Sequence, residues 1–525
     1  MNTSVLVLAA ILLAVYYSIV LVGSRVLKQT ALFPKAVDIV GPRKQLWSIT
    51  RASMRQVFGG IDTLLEGYQN YARHGKPYIV YDPSTRQELL LPAEHVSWFA
   101  SLPDSQLSSH GVRQERHALK YLHLGIEQTT TMHFIKHVSG DALARNLHLL
   151  QPPMHAELRR LTDGVFGASP AASDGWTEIK VCDAFGDIVF PVITRALLGE
   201  ELSRDVHFLS VFRRFFMVFG FGTIFVGQLP KLLKGVVARL VRSSFLYYRK
   251  KTLGILTPVV TRQLAKLDEE NSRSNEDYNF IWQCAKISEK NSLGGIGARA
   301  PPGIIAEWIM AMGFAGSSAT VIQATNILID MANCPAEEQV VTRLRKEAEE
   351  LLVNHGHQKD SNGCQDDSLW HEAAPFKNMP LIDSLIRESL RFHPILIKGL
   401  TKEVVPESGL VLPGSSIRMP EGSWVGVPVL GIHRDERFYS NPQVYMPFRF
   451  ADSAGELEAG KPTTAYLGFG YGKHAWLTAT ENEGTWRCST TTNVYDHQGP
   501  EEDRLKADLA RVPYIIGEKS FKMPS

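Results

Sequence analysis

Four short stretches of this 525-residue chain carry side chains whose types and spacing suit chemistry. In Phe314-Ala-Gly-Ser-Ser-Ala-Thr320, small residues and hydroxyls replace the large apolar residues on either side. Glycine inside a helix costs ~1 kcal/mol against alanine, so something must offset it. Either the helix opens locally to let a bulky ligand or O2 approach hydroxyls that deliver protons, or the small residues form a notch for close helix packing. Glu388 and Arg391 are three positions apart, on one helix face, and can form a carboxylate–guanidinium pair. On a surface such a pair is worth ~0.3–0.5 kcal/mol and carries no function. A second arginine, Arg449 between Phe448 and Phe450, would complete a buried Arg–Glu–Arg network if folding brought it to the same carboxylate. The alternating glycines of Leu467-Gly-Phe-Gly-Tyr-Gly-Lys-His-Ala475 allow a backbone turned tightly against something flat or large. Their spacing is not that of a dinucleotide fingerprint.

These stretches need elements to position them. From about Ile304 to Asn333 the apolar residues fall almost all round, which predicts a long helix crossing the protein centre. The breaker cluster Gly294–Gly303 sets up its start. Leu381–Pro394 reads as a helix ending at His393-Pro394. Helical periodicity also marks Asp141–Leu150 and Ile188–Leu198. Pro77–Tyr81, the turn DPSTRQ and Glu88–Pro92 read as a β-hairpin. Asp268–Asp277 and His355–Glu372 are polar and read as surface loops. The fold class expected is mainly α with small β-sheets.

Ahead of this body, Val5 to Val22 run without a charge. As a helix that is ~27 Å, close to the ~30 Å hydrocarbon core of a bilayer. Tyr16 and Tyr17 lie toward its end, and Arg25, Lys28 and Lys35 follow with no acid before Asp38. By the positive-inside rule the body faces the cytosol. A cleaved signal peptide is the rival, disfavoured because Met1-Asn-Thr-Ser has no basic region and the apolar run is long. No second span of that length is expected in the body.

Composition narrows the classes. At 44% apolar and 21% charged the chain is neither disordered nor collagenous. A net charge of +2 argues against nucleic-acid binding. Five scattered cysteines without a CxxC pair argue against a disulfide framework or a structural zinc site.

In this order, the small-residue helix, Glu388-x-x-Arg391, Arg449 and the loop with Phe469, Gly472 and His474 resemble the cytochrome P450 family of haem-thiolate monooxygenases, most of all the membrane-bound fungal enzymes. His433-Arg-Asp435, Asn441-Pro442 and Leu344-Arg-Lys-Glu347 are softer matches. The resemblance implies a cytochrome P450-like fold behind one N-terminal transmembrane helix. It divides the chain into an anchor and linker at 1–35, a family domain at 36–475 and a divergent segment at 476–525. It implies haem, a membrane-bound NADPH reductase, an apolar small-molecule substrate and a place in the endoplasmic reticulum membrane. It also implies oxidation of that substrate in fungal secondary metabolism.

Residue by residue, the resemblance makes Glu388, Arg391 and Arg449 a structural triad. Phe469, Gly472 and His474 fall on the haem loop, with Lys402, His133 and Lys136 as partners for the haem propionates. The family's acid–alcohol pair falls on Ser318 and Ala319, leaving Ser318 and Thr320 as the candidate catalytic hydroxyls. The ligand position falls on Trp476, where the family has cysteine, and an indole offers iron no comparable lone pair. No metal ligand is therefore assigned. Cys488, twelve positions on, has nothing in the sequence to aim it at the iron. The tail holds six threonines between Thr478 and Thr492 and no helical stripe, which suggests a retained intron, a shifted frame or a misplaced exon boundary between about 476 and 493. Two readings stay open: a monooxygenase, and a catalytically inactive relative or product of altered splicing. The substrate pocket would be lined partly by Leu102–Leu107 and Val211–Gly222, neither carrying a readable code.

Overall fold

The computed structural model describes residues 33, 37–41, 48–84, 86–122, 146–166, 176–229, 231–270, 279–293, 298–354, 379–451, 462–472, 506–507 and 520–524. The apolar run Val5–Val22 lies outside them, as do His133, Lys136, His474, Trp476, Cys488 and the loop at 355–372.

The described chain is mainly helical with small sheets. Its strands are β1 (Asp38–Ile39), β2 (Tyr78–Tyr81), β3 (Gln87–Leu90), β4 (Leu107–Ser108), β5 (Trp176–Lys180), β6 (Gly399–Val404), β7 (Leu410–Val411), β8 (Arg418–Met419), β9 (Trp424–Val427), β10 (Lys506–Ala507) and β11 (Ser520–Pro524). Six form one sheet in the order β1-β2-β3-β9-β6-β4. The expected hairpin is its β2–β3 pair, with Tyr78 opposite Leu90 and Tyr81 opposite Gln87. Its turn is closed by Asp82, whose Oδ1 accepts from Ser84 N at 2.7 Å, the local bond that makes Asp a turn residue. β9 joins β3 in parallel and β6 antiparallel, so it is buried on both faces. In the tail, β11 pairs antiparallel with β5 along five residues, Ser520 opposite Lys180.

A large core lies among the helices and a second one lies on the six-stranded sheet. The central helix runs Pro302–Asn333, ~48 Å at 1.5 Å per residue. Pro302 opens it, since a missing N–H costs nothing at a first turn, and Cys334-Pro335 closes it. Ile305, Trp308, Ile309 and Met312 share one face of it and are buried. Contrary to the expectation of no second span-length segment, Val206–Gly227 and Pro302–Asn333 are both long and apolar enough to cross a bilayer by composition. Both instead contribute to the helical core, through Phe208, Phe212, Phe215 and Phe216 in the first case. The polar stretch from Asp268 begins inside a helix, because Lys231–Glu270 continues through its first three residues.

The helix Pro380–Phe392 ends at His393, before Pro394. Its N-terminus is capped from another helix: Glu347 of Val340–Asn354 accepts from Leu381 N at 2.7 Å and Ile382 N at 3.0 Å. A carboxylate there satisfies orphan donors and complements the helix dipole. Further on, the short helix Val429–His433 is seated by Tyr68. A Cβ on Gly431 would lie 2.4 Å from the Tyr68 ring, so only glycine admits that approach. The Tyr68 hydroxyl donates to Asp435 Oδ2 at 2.6 Å.

Candidate functional site

Glu388 and Arg391 lie one turn apart and are fully buried. The guanidinium grips the carboxylate with both prongs, Nε to Oε2 at 2.7 Å and Nη2 to Oε1 at 2.8 Å. Arg449, 61 residues further along, donates its Nε to Oε2 at 3.0 Å, and Met446 N donates to Oε1 at 2.9 Å. The folded chain therefore brings Glu388, Arg391 and Arg449 to one carboxylate. The remaining arginine donors go to backbone carbonyls: Arg391 Nη1 to His433 at 2.6 Å and Pro442 at 2.9 Å, and Arg449 to Ser440, Asn441 and Val444. Buried charge is tolerable only when paired and hydrogen-bonded in this way. Because the acceptors include carbonyls of residues 433–444, the network also pins that irregular segment.

His433 connects this cluster to the glycine-rich loop. Its imidazole is fully buried, with Nδ1 3.1 Å from Arg391 O and Nε2 2.8 Å from Leu467 N. A backbone N–H can only donate, so Nε2 accepts and Nδ1 carries the proton. Burial, and then the charge of Arg391, push its pKa down to about 3. The ring lies parallel to Tyr466 at 5.7 Å, and the Arg387 guanidinium covers the other ring's face at 3.8 Å. The loop turns through positive φ at Gly470 and Gly472. Phe469 is buried in the helical core, and a Cβ on Gly472 would stand 3.2 Å from Ala100 Cβ.

The central helix is tied to the same unit. Gln323 Nε2 donates to Ser389 Oγ at 2.7 Å, and Ser389 donates to Asp330 Oδ2 at 3.1 Å. The small-residue stretch does not open the helix, which is continuous through it. Close packing accounts for the glycine just ahead of it: a Cβ on Gly313 would lie 2.9 Å from Phe212 and 3.1 Å from Phe216, whereas one on Gly316, inside the stretch, would make only ordinary contact with Ile193 at 3.6 Å. The two candidate hydroxyls differ in setting. Thr320 is fully buried and donates to Gly316 O at 2.6 Å, while Ser318 is partly exposed. Lys402 on β6 is buried, its Nζ 3.3 Å from Phe99 O and 5.1 Å from the Phe99 ring centre.

Among the described residues no group of His, Cys, Asp and Glu is arranged to hold a metal ion. Of the described cysteines, Cys284 is buried, Cys182 is exposed, and Cys334 gives its thiol to Asp330 O at 3.3 Å. Sequence reasoning treated His433 as a soft match and passed over Arg387, Tyr466, Ser389 and Gln323. Nothing local marks them, because their partners are distant in the chain.

The cytochrome P450 family model matches residues 163–475. The chain is 50% identical over 487 residues to the cytochrome P450 monooxygenase efuH of Hormonema carpetanum, covering 90% of this chain and 83% of that protein. It is 50% identical over 474 residues to fsoD of Humicola fuscoatra, covering 85% and 84%. Against polB of Polytolypa hystricis the figures are 30% over 459 residues, covering 84% of each. These likenesses favour the monooxygenase over the inactive relative, and they imply a haem cofactor, a reductase as redox partner and a small-molecule substrate. The chain belongs to the cytochrome P450 family of haem-dependent monooxygenases.

Proposed function

We propose that this monooxygenase oxidises an apolar small molecule in fungal secondary metabolism. In this reading residues 1–35 anchor it in the endoplasmic reticulum membrane, 36–475 form the cytosolic family domain, and 476–525 are a divergent segment. A membrane-bound NADPH reductase supplies electrons. One observation carries the reading. The central helix, the Glu388 helix and the glycine-rich loop are joined by buried hydrogen bonds into one unit: Gln323 to Ser389, Arg391 to His433, and His433 to Leu467.

The described residues suit haem on its carboxylate and apolar sides. Lys402 is a buried ammonium, and a propionate beside it would gain a charge-assisted bond; His474, His133 and Lys136 are its proposed companions. Between the Glu388 helix and β6, Ile395 and Leu396 are 41% and 62% exposed, apolar surface of the kind a flat macrocycle covers. The position of the iron ligand, Trp476, lies outside the described residues. The bound cofactor supplies activation of O2 and transfer of one oxygen atom to a C–H or C=C bond. The protein's share is to orient and to move protons. Glu388, Arg391 and Arg449 hold the irregular segment 433–444, and Ser318 or Thr320 positions a water that passes protons inward. Phe212, Phe216 and Phe314 pack together beside the central helix, an uncharged cluster of the kind that suits an apolar substrate.

The test begins with sequencing the transcript across codons 460–525. The full-length protein is then assayed for the reduced, CO-bound absorbance band and for NADPH consumption with a fungal reductase and apolar substrates. Cysteine at 476 with a thiolate-type band and substrate-stimulated turnover supports the reading. Trp476 in the message, with neither band nor turnover, sinks it. Ser318→Ala and Thr320→Val assign the proton role: the variant that diverts electrons to hydrogen peroxide removes the working hydroxyl.

A further inference from the structure

We propose that His433 is a positioning residue: a neutral imidazole clamp that sets where the glycine-rich loop begins, and through it how firmly haem is held. The proposal rests on reading Leu467–Gly472 as part of the loop that seats the cofactor. The clamp itself is fixed by atoms on both sides. Nε2 accepts from Leu467 N and Nδ1 donates to Arg391 O, so the ring spans the end of the Glu388 helix and the first residue of the loop. Arg391 returns the bond through Nη1 to His433 O, which locks the imidazole's own backbone.

The surroundings admit only the neutral ring. Arg391 stands on one side, with Glu388 already committed to it and to Arg449. Arg387 approaches across Tyr466. A proton on Nε2 would oppose the Leu467 N–H and add a third positive charge to a buried pair of arginines. An uncharged ring with one donor and one acceptor is therefore the only state that satisfies every neighbour.

The consequence is mechanical. Loop residues after Leu467 turn through Gly470, whose N–H donates back to Leu467 O at 3.0 Å. The first turn of the loop is thus built on the residue that His433 holds. A shift of Leu467 moves that turn, and with it the described loop as far as Gly472.

The experiment uses the full-length protein in lipid nanodiscs. Hydrogen exchange is read in peptides covering 462–472 and 380–392, and haem release is read as transfer to excess apomyoglobin. His433→Leu removes both bonds. It should speed exchange at the Leu467 amide about tenfold, the loss of one buried hydrogen bond, and speed haem release, while exchange in 380–392 stays within about twofold. His433→Gln keeps a donor and an acceptor and should recover most of both. Should His433→Leu not fold, the ring nitrogens of the wild-type protein decide by their ¹⁵N shifts: Nδ1 protonated and Nε2 bare supports the clamp, and the opposite tautomer overturns it. Unchanged exchange at Leu467, or equal acceleration in 380–392, also overturns it. Faster exchange with unchanged haem release overturns the loop reading instead, and with it the positioning role.

Discussion

Arg391 and His433, 42 residues apart, each hold the other's backbone: Arg391 Nη1 donates to His433 O at 2.6 Å, and His433 Nδ1 donates to Arg391 O at 3.1 Å. The exchange ties each residue's backbone to the other's side chain. It places the buried Glu388–Arg391–Arg449 cluster in series with the loop that follows Leu467.

Arg391→Lys keeps the charge and loses the fork. An ammonium cannot donate to both Glu388 oxygens and two carbonyls in one plane. Breaking a buried, fully bonded pair costs about 3–5 kcal/mol, so the variant should lose most of its folded yield. Chemical denaturation midpoints of the two proteins check this; a loss below about 1 kcal/mol would show that the fork geometry is not what matters.

Glu88 on β3 is a second buried carboxylate. It accepts from Arg116 at 3.0 Å, Lys398 at 2.7 Å and Thr401 at 2.8 Å. Burial opposes its ionisation, yet Arg116 and Lys398 hold its pKa down to about 2. The folded state therefore binds this proton less readily than the unfolded chain. Its stabilisation, up to about 3 kcal/mol at 1.36 kcal/mol per unit, is complete above the unfolded value of 4.5 and is lost as pH falls toward 2. Glu88→Gln should lower stability at pH 7 by a similar amount and flatten the acid limb of the stability curve.

Two buried histidines act at higher pH. His433 and His155 are each pushed down to about 3, by burial first and by a neighbouring arginine second. Below the unfolded value of 6.5 the unfolded chain takes up protons that the folded rings refuse, so stability present above pH 6.5 falls on acidification toward pH 3. Between pH 7.5 and 5.5 the two together should cost about 3 kcal/mol. Denaturant titrations at both pH values measure it, and His155→Gln should remove about half of the difference.

Glycines in two long helices should respond in opposite directions. Gly254 in Lys231–Glu270 has open space where a Cβ would go, whereas Gly313 would press a Cβ against Phe212 and Phe216. Gly254→Ala should therefore gain ~0.5–1 kcal/mol from helix propensity. Gly313→Leu should lose ~2–3 kcal/mol by overpacking. Thermal midpoints of the two variants give the signs directly.

Much of the fold follows from local rules. Apolar residues all round Ile304–Asn333 marked the central helix within two residues of its observed start. The Asp-Pro turn between apolar runs marked the β2–β3 hairpin. A spacing of three placed Glu388 and Arg391 on one face, because 3.6 residues make a turn. These signals are short-ranged, so a chain read in order displays them.

Other relationships exist only once distant segments meet. Arg449 reaches Glu388 across 61 positions, Leu467 reaches His433 across 34, and Lys398 reaches Glu88 across 310. Whether Glu388 and Arg391 were a weak surface pair or the centre of a buried network depended on burial, which spacing does not encode. The same holds for His433. Its neutral form is imposed by a backbone N–H on one nitrogen and a helix-end carbonyl on the other, and both belong to elements that only packing brings to the ring. The sequence determined the elements and the order of the motifs. Tertiary structure decided which charges share a dry interior, because desolvation and hydrogen-bond partners are properties of the assembled core.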